Sequence, residues 1–589
     1  MSAVINEKAI SPAIAKEQLQ PPHPLLAQFD ALSRAPGGVA RLRELIVSLA
    51  LQGKLVAQDK ADEPAEVLLE RIRLEKINFT VGGRPKSTKP VALETNNFLT
   101  ELPLGWVWTN LATIGRINPR NDASDDMPTS FVQMSSIPTA FSDQHASETR
   151  PWRDIKTGFT HFAEGDVGIA KITPCFENAK STVFTNLVNG IGSGTTELHI
   201  VRPLGGICTR YVLLFLKSPT FLREGEAVMT GSAGQKRLPR SYFENKPFPL
   251  PPLAEQSRIV ARIDELMRLC DALEAKGRLE AEQHARLLDA LLSALTDSTT
   301  PDELEANWQR VAGHFDLLLD RPAAVDALER TILQLAVRGV LVPQGNAAES
   351  ASDLVEKIRS EKHLQCAISK AKRTKAKSSL AEPEPLFELP ASWAWCSLAD
   401  IALQGPTNGL SPKPSENPTT VRCLSLSATT QGYFRADCFK YVDVPLDTAE
   451  PFLLKTGDLL IQRGNSLDYV GIAALYDGID NEFMYPDLMM RVQLSPLVDA
   501  RYVHIWLISK NGREYFQKNA TGTQGTMPKV NQSTVAGTPI PLPPMAEQKQ
   551  IVARVDQLRA VCADLRQRLL SQRTTQAQLA EALVEQAAA

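Results

Sequence analysis

Two rhythms of hydrophobic residues alternate along this 589-residue chain. Ile259, Ile263, Leu266, Cys270 and Leu273 are spaced 4, 3, 4 and 3, and Ile551, Val555, Leu558, Cys562, Leu565 and Leu569 continue the same rhythm. That spacing is a heptad seam, an apolar stripe that must bury itself against another helix. Each seam follows a Pro-Leu-Pro-Pro, at 249–252 and 541–544. Prolines stop a helix upstream and suit the first turn of the one that follows. Glu255 and Glu547 fall in that first turn, where negative charge favours the helix dipole. At 1.5 Å per residue each helix is expected to be ~65 Å long. A helix of that length cannot stand alone. Its expected partner is the other copy, in an antiparallel pair with approximate two-fold symmetry. Segments 40–56 and 326–342, apolar at helical spacing, are expected beside it.

The second rhythm is shorter. VGIA (167–170), TVF (182–184), ELHIV (197–201), DLLIQ (458–462), GIAALY (471–476) and MRVQL (490–494) are punctuated by Gly, Pro, Asn and Asp and predict strands with turns. YVLLFLKS (211–218) and YVHIWLIS (502–509) each predict a helix, followed by a charged stretch. The fold class expected is α+β: two globular α/β domains joined by a long antiparallel helical scaffold.

The chain also repeats itself. FDALSRAPGGVARLRELIVSLALQGKLV (29–56) matches FDLLLDRPAAVDALERTILQLAVRGVLV (315–342). LLERIRLEK (68–76) matches LVEKIRSEK (354–362), LPLGWVWTNLATI (102–114) matches LPASWAWCSLADI (389–401), and the two seams match each other. Residues 115–248 and 402–540 align poorly, apart from a Gly-Asp in each (165–166, 457–458) and a Gly-rich stretch near 231 and 522.

Composition narrows the class. With 43% hydrophobic and 22% charged residues the chain is ordinary for globular protein. No apolar run is long enough to cross a membrane, and the first 24 residues lack the apolar core of a signal peptide. Eight cysteines without CxxC pairs suit reduced thiols and a cytoplasmic location. A formal net charge of −3 neither favours nor opposes nucleic acid as a partner.

The entry segments LPLGWVW and LPASWAW, the exits PLPPLAEQSRIVARID and PLPPMAEQKQIVARVD, and the pair LLERIRLEK and LVEKIRSEK together resemble the specificity subunit of prokaryotic type I restriction–modification systems. The resemblance implies two target-recognition domains, each reading half of a split site in double-stranded DNA. It implies a non-catalytic chain that docks two modification (adenine methyltransferase) subunits and the restriction (translocase/endonuclease) subunits. S-adenosylmethionine is then expected on the modification subunit, and ATP and Mg on the restriction subunit, with no cofactor or metal in this chain. The N-terminal segment is expected to complete the second scaffold copy, as in a circular permutation. The division expected is a flexible tail (1–24), an N-terminal helical segment (25–99), a first recognition domain (100–252), a central helical region and linker (253–385), a second recognition domain (386–544) and a C-terminal helix (545–589).

Catalytic signatures are missing from the sequence. No Asn-Pro-Pro or Asp-Pro-Pro occurs, Gly53-Lys54 lacks the rest of a phosphate loop, and no acidic-x-Lys follows Pro486-Asp487 closely. His161 and His199 share a strand surface at most and do not suggest a metal pair.

Contact with DNA is therefore assigned to local loops. Residues 101–252 hold 15 Lys/Arg against 14 Asp/Glu and residues 388–544 hold 12 against 15, so neither domain is a basic block. TGSAGQKRLPR (230–240) offers Gln235, Lys236, Arg237 and Arg240, and its counterpart TGTQGTMPKVN (521–531) offers Thr523, Gln524, Lys529 and Asn531. Glycine lets backbone approach a phosphate, Lys and Arg neutralise it, and Gln, Asn and Arg read base edges. A second group is Lys171, Glu177, Asn178, Lys180 and Thr195, matched in place by Arg463, Asn465, Tyr485 and Asp487. An ordinary polar turn is the competing reading of each loop. The basic stretch 357–377 is either a solvated connector or a further phosphate contact. Trp106, Trp108, Trp393 and Trp395 are expected to pack the first strand of each domain.

Two alternatives are a self-contained methyltransferase or nuclease, and a coiled-coil tether whose globular ends bind protein. Non-identical middles predict two different half-sites, about one helical turn apart and separated by unspecified bases.

Overall fold

A computed structural model describes residues 35–80, 101–142, 144–232, 234–298, 300–344, 350–368, 384–522 and 527–588. The N-terminal tail, Thr523, Gln524 and much of the basic linker lie outside the described residues. The chain divides into two units, residues 1–280 with 573–589, and residues 281–572.

In the first unit, helices α1 (Gly38–Leu51) and α2 (Ala65–Thr80) precede strand β1 (Val107–Thr109). Two four-stranded sheets follow. One has the order β2 (Gly115–Ile117), β9 (Leu198–Pro203), β6 (Val167–Ala170), β7 (Ser181–Val183) and is antiparallel throughout. The other has the order β4 (Glu148–Pro151), β3 (Pro128–Val132), β8 (Ile191–Gly194), β5 (Thr160–Ala163), with β3 and β8 parallel. The VGIA run is buried at all four positions, which is why it shows no polar alternation. Helices α3 (Thr209–Leu216) and α4 (Pro219–Val228) then lead to β10 (Phe248–Leu250), which pairs antiparallel with β1 and closes the module. The apolar and charged stretches form two helices because Ser218 ends the first and caps the second, its Oγ accepting from the Phe221 N–H at 3.3 Å.

Helix α5 (Leu253–Asp297) starts directly after the prolines. Its seam residues Ile259, Ile263, Leu266 and Cys270 are buried with Leu42, Leu45, Ile46 and Leu49 of α1, and Ala580 near the chain's end joins the same core. Arg43 of α1 holds Asp271 and Glu274 of α5 at 2.6 and 2.8 Å, and Arg41 holds Glu581 at 3.0 Å.

The second unit repeats this plan. It contains the end of α5, with Leu288, Leu292 and Leu295 buried, then α6 (Pro301–Ala312), α7 (Pro322–Val337) and α8 (Ala351–Ile368). Strand β11 (Ala394–Ser397) opens the module. One sheet has the order β12 (Ala402–Asn408), β18 (Met489–Leu494), β15 (Leu459–Gln462), β16 (Ala473–Leu475). The other has three strands, β14 (Phe439–Val442), β13 (Val421–Leu424), β17 (Phe483–Met484), with β13 and β17 parallel. Helices α9 (Ala500–Ile508) and α10 (Lys510–Lys518) meet at Ser509, the counterpart of Ser218. Strand β19 (Pro539–Leu542) pairs with β11, and α11 (Met545–Ala588) follows, its Ile551, Val555 and Cys562 buried with Val325, Leu328 and Ile332 of α7.

The middles that align poorly in sequence thus share the strand order of one sheet and of three strands of the other, the fourth strand, β5, having no counterpart among the described residues of the second unit. The two Gly-Asp pairs explain part of this. Asp166, fully buried, accepts from the Ala163 N–H at 2.7 Å and from Arg202 at 2.7 Å, while Asp458 accepts from the Lys455 N–H at 2.9 Å and from Gln493 at 2.9 Å. Each carboxylate ties the turn before a central strand to its neighbouring strand. Among the described residues, no helix is long and apolar enough to cross a membrane and no group of His, Cys, Asp and Glu is placed to hold a metal. Cys175, Cys208, Cys270, Cys396, Cys423, Cys438 and Cys562 are free thiols.

Candidate nucleic-acid interface

The duplicated exit segment forms a clasp. Trp106 Nε1 donates to Glu255 at 3.0 Å, and Trp393 Nε1 donates to Glu547 at 3.0 Å. Gln58 and Gln344 reach the same carboxylates at 3.3 and 2.8 Å. The next residue works equally: Gln256 Oε1 accepts from the Cys208 N–H at 3.0 Å and Gln548 Oε1 from the Asp499 N–H at 2.8 Å, which fixes the start of α3 and of α9. Burial pushes both glutamate carboxyls up. A helix-dipole role was legible for Glu255 and Glu547; the indole partners were not, because they lie about 150 residues away in sequence. Trp106 and Trp393 are buried core residues beside the first strand, as expected.

Above this frame, two loops join their modules by the same backbone bonds. In the first, Thr230 and Arg237 exchange N–H···O bonds at 3.1 and 2.8 Å. Leu238 N–H donates to the Lys171 carbonyl at 2.7 Å, Thr173 N–H to Lys236 at 3.0 Å, and Lys171 N–H to Glu197 at 2.9 Å. In the second, Thr521 and Lys529 exchange bonds at 2.8 and 2.9 Å, Val530 N–H donates to Arg463 at 2.9 Å, Asn465 N–H to Pro528 at 3.3 Å, and Arg463 N–H to Leu488 at 2.7 Å. Lys171, Lys236 and Arg237 therefore occupy the backbone places of Arg463, Pro528 and Lys529. The structure brings the two sequence-derived groups of each module into contact.

The side chains differ in how they are held. Gln235, Lys236, Arg237 and Arg240 are exposed. Arg237 makes bonds of 2.9 and 3.0 Å to the two oxygens of Glu197, and this hydrogen bonding holds the Glu197 carboxyl below the ordinary range. Arg240 pairs with Glu244 one helical turn on. Glu177 and Asn178 stand exposed on the turn after Thr173. Thr195 Oγ1 accepts from the Glu197 N–H at 3.2 Å, and Lys180 Nζ donates to the Met134 carbonyl at 2.9 Å.

In the second module Lys529 is exposed and Arg463 half-buried. The Asn465 amide is committed at both ends, donating to Gln462 Oε1 at 2.8 Å and accepting from the Ser466 N–H at 2.8 Å. Asn531 caps the following helix by accepting from the Thr534 N–H at 2.8 Å. The Tyr485 ring lies in the core at 1% exposure, its hydroxyl 3.0 Å from Thr407 Oγ1. Asp487 is bonded to Ser411. His161 and His199 are buried, and His199 Nε2 donates to the Leu238 carbonyl at 3.0 Å, beneath the first loop. Glu197, which orients Arg237, carried no sequence signal beyond being a carboxylate near the Gly-rich stretch.

A family model described as the type I restriction modification DNA specificity domain matches residues 195–283 and 392–572. The chain is 39% identical over 557 residues to the type I restriction enzyme EcoEI specificity subunit of Escherichia coli, covering 93% of this chain and 94% of that protein. It is 42% identical over 564 residues to the EcoAI specificity subunit of the same species, again covering 93% and 94%. A solved chain from work on the complex assembly and conformational transition of the type I R-M system shares the fold, with a TM-score of 0.50, 16% identity, and coverage of 83% of this chain and 99% of that one. This chain belongs to the specificity subunits of type I restriction–modification systems, the non-catalytic DNA-recognition components of those complexes.

Proposed function

We propose that the two modules, within residues 100–252 and 386–544, read the two different halves of a bipartite, asymmetric DNA site. The observation that carries this is the identical backbone attachment of the loops at 230–237 and 521–529, which present different side chains from one frame. A shared frame fixes where each reader sits, and unlike side chains make the two halves unlike. The bases are read by Gln235 and Arg237 with the turn at 171–180 in the first module, and by Arg463 in the second. Lys236, Arg240 and Lys529 supply phosphate contact.

The helical frame docks two modification subunits, one per half. Supporting this, Leu269 and Leu287 of α5 and their repeat partners Val561 and Leu579 of α11 are large apolar residues left 49–59% exposed. Matched apolar positions at two places suit two copies of one partner. The modification subunits would bind S-adenosylmethionine and methylate a flipped adenine in each half-site. Restriction subunits carrying ATP and Mg would join the same cytoplasmic complex.

Mapping methylated bases in cells carrying this system tests the reading. Two unlike methylated half-sites at a fixed spacing are expected, and a continuous or palindromic motif would overturn it. Replacing residues 402–540 by another module should change one half-site only.

A further inference from the structure

The ammonium of Lys217, just past the end of α3, lies inside the first module and donates to three backbone carbonyls: Ala179 at 2.8 Å, Thr139 at 3.1 Å and Pro138 at 3.4 Å. These acceptors belong to two separate segments. One is the turn at 171–180, which carries Lys171, Glu177, Asn178 and Lys180. The other is the stretch at 134–139. A second stitch joins the same pair from outside, through Lys180 Nζ to Met134 at 2.9 Å and Ser181 N–H to Pro138 at 3.3 Å.

Ala179 has φ +53°. A residue with a Cβ rarely adopts that conformation, so surrounding bonds must hold it there. The Lys217 contact falls on this residue's own carbonyl. Burial brings the ammonium down to about 7, so the fold carries a desolvation penalty at this position. The second module avoids it. Tyr211 and Tyr502, and Ser218 and Ser509, set the register of the two helix pairs, and that register places Ile508 where Lys217 stands. A penalised group in one module, replaced by a hydrocarbon in the other, is specific to the first module's task and not to the shared frame.

We infer that Lys217 is a positioning residue for recognition by the first module, holding the turn at 171–180 against residues 134–139 so that its exposed side chains meet one half-site in a fixed register. This rests on the proposal that the first module reads DNA. Lys217 touches the turn through backbone carbonyls and acts on DNA only through it. Three donors from one ammonium match three acceptors, and an arginine has enough donors to replace most of them.

The test uses the full chain reconstituted with its modification partner. Methylation rates are measured on duplexes with single-base changes in either half of the mapped site. Lys217→Met and Lys217→Ile should lower discrimination in the half assigned to the first module, on the order of tenfold or more, because small misplacements of a positioning group carry large rate effects. Discrimination in the other half should be unchanged, and Lys217→Arg should restore most of the loss. Amide exchange of Lys180 and Ser181 should quicken in the Met and Ile variants and not in the Arg variant. Normal discrimination in both apolar variants would overturn the inference, as would equal losses in both halves or failure of all three variants to fold. If the wild-type complex methylates no bipartite site, the underlying reading fails instead, and the two failures are distinguishable.

Discussion

The indole of Trp106 and the carboxylate of Glu255 meet at 3.0 Å inside the first unit, and Trp393 and Glu547 repeat the distance in the second. This pair joins the strand that enters each module to the helix that leaves it. Entry and exit are thereby locked together at one point, and the stretch between them can diverge without losing its place.

Glu255→Ala and Glu547→Ala should each destabilise their unit by about 1–3 kcal/mol, the cost of leaving a buried indole N–H unpaired; Gln58 and Gln344 keep their bonds to the Gly53 and Gly339 carbonyls. Glu→Gln, which keeps an acceptor, should cost less. Chemical unfolding followed by tryptophan fluorescence measures both. Equal losses for Ala and Gln would show that packing, and not the hydrogen bond, matters there.

Gly53 and Gly339 turn the chain after α1 and α7 with φ +68° and +74°. A Cβ at either would lie 2.4 and 2.6 Å from Pro103 and Pro390 and 3.1 Å from the Trp106 and Trp393 rings. Gly53→Ala and Gly339→Ala should therefore each lower stability by more than the ~1 kcal/mol expected from the left-handed backbone alone. A loss no larger than that in denaturant titration would mean the proline ring yields without cost.

Arg237 is oriented by two bonds to Glu197, whereas Lys529 is exposed and has no ion pair among the described residues. Arg237→Ala should cost about 1–3 kcal/mol on the correct site and relax preference at one base position, and Glu197→Gln should give part of that loss. Lys529→Ala should weaken binding uniformly across sequences and reduce the salt dependence by about one charge. Binding by the assembled complex to a set of single-base variants at two salt concentrations separates these. Uniform weakening by Arg237→Ala would make it a phosphate contact.

Burial lowers the proton affinity of His199, with Lys171 and Arg240 adding to the effect and a bond to the Leu238 carbonyl and the Glu244 charge opposing it. The folded protein thus holds this proton less tightly than the unfolded chain does. Acidification through about pH 6.5 protonates the unfolded chain first, so stability from this site is present above that pH and is lost below it. His199→Gln keeps an N–H donor and cannot titrate. The difference in stability between wild type and this variant should change between pH 7 and pH 5 in favour of the variant, as read by thermal unfolding. A pH-independent difference would remove His199 as a contributor to acid sensitivity.

Much of the architecture was legible in the sequence because it is written in local periodicity and in repetition. The heptad spacing of Ile259 to Cys270, the prolines before it, and the alternating short strands each depend on neighbours within a few residues, and duplication showed the two-unit plan directly. The candidate loops were found at matched positions for the same reason. Tertiary structure decided what those residues do. Tyr485 and Asn531 look like readers in the sequence, but one packs its ring in the core and the other caps a helix. Glu197 and Lys217 had no motif, and they matter through partners 38–79 residues away. The strand order that the two middles share was hidden as well, since a sheet constrains burial at alternate positions and leaves residue identity free. Sequence alone determined the frame and its duplication, because these follow from short-range pattern. The tertiary structure decided which polar groups are spent on holding the fold and which remain exposed for a ligand, because that depends on long-range hydrogen bonds and burial.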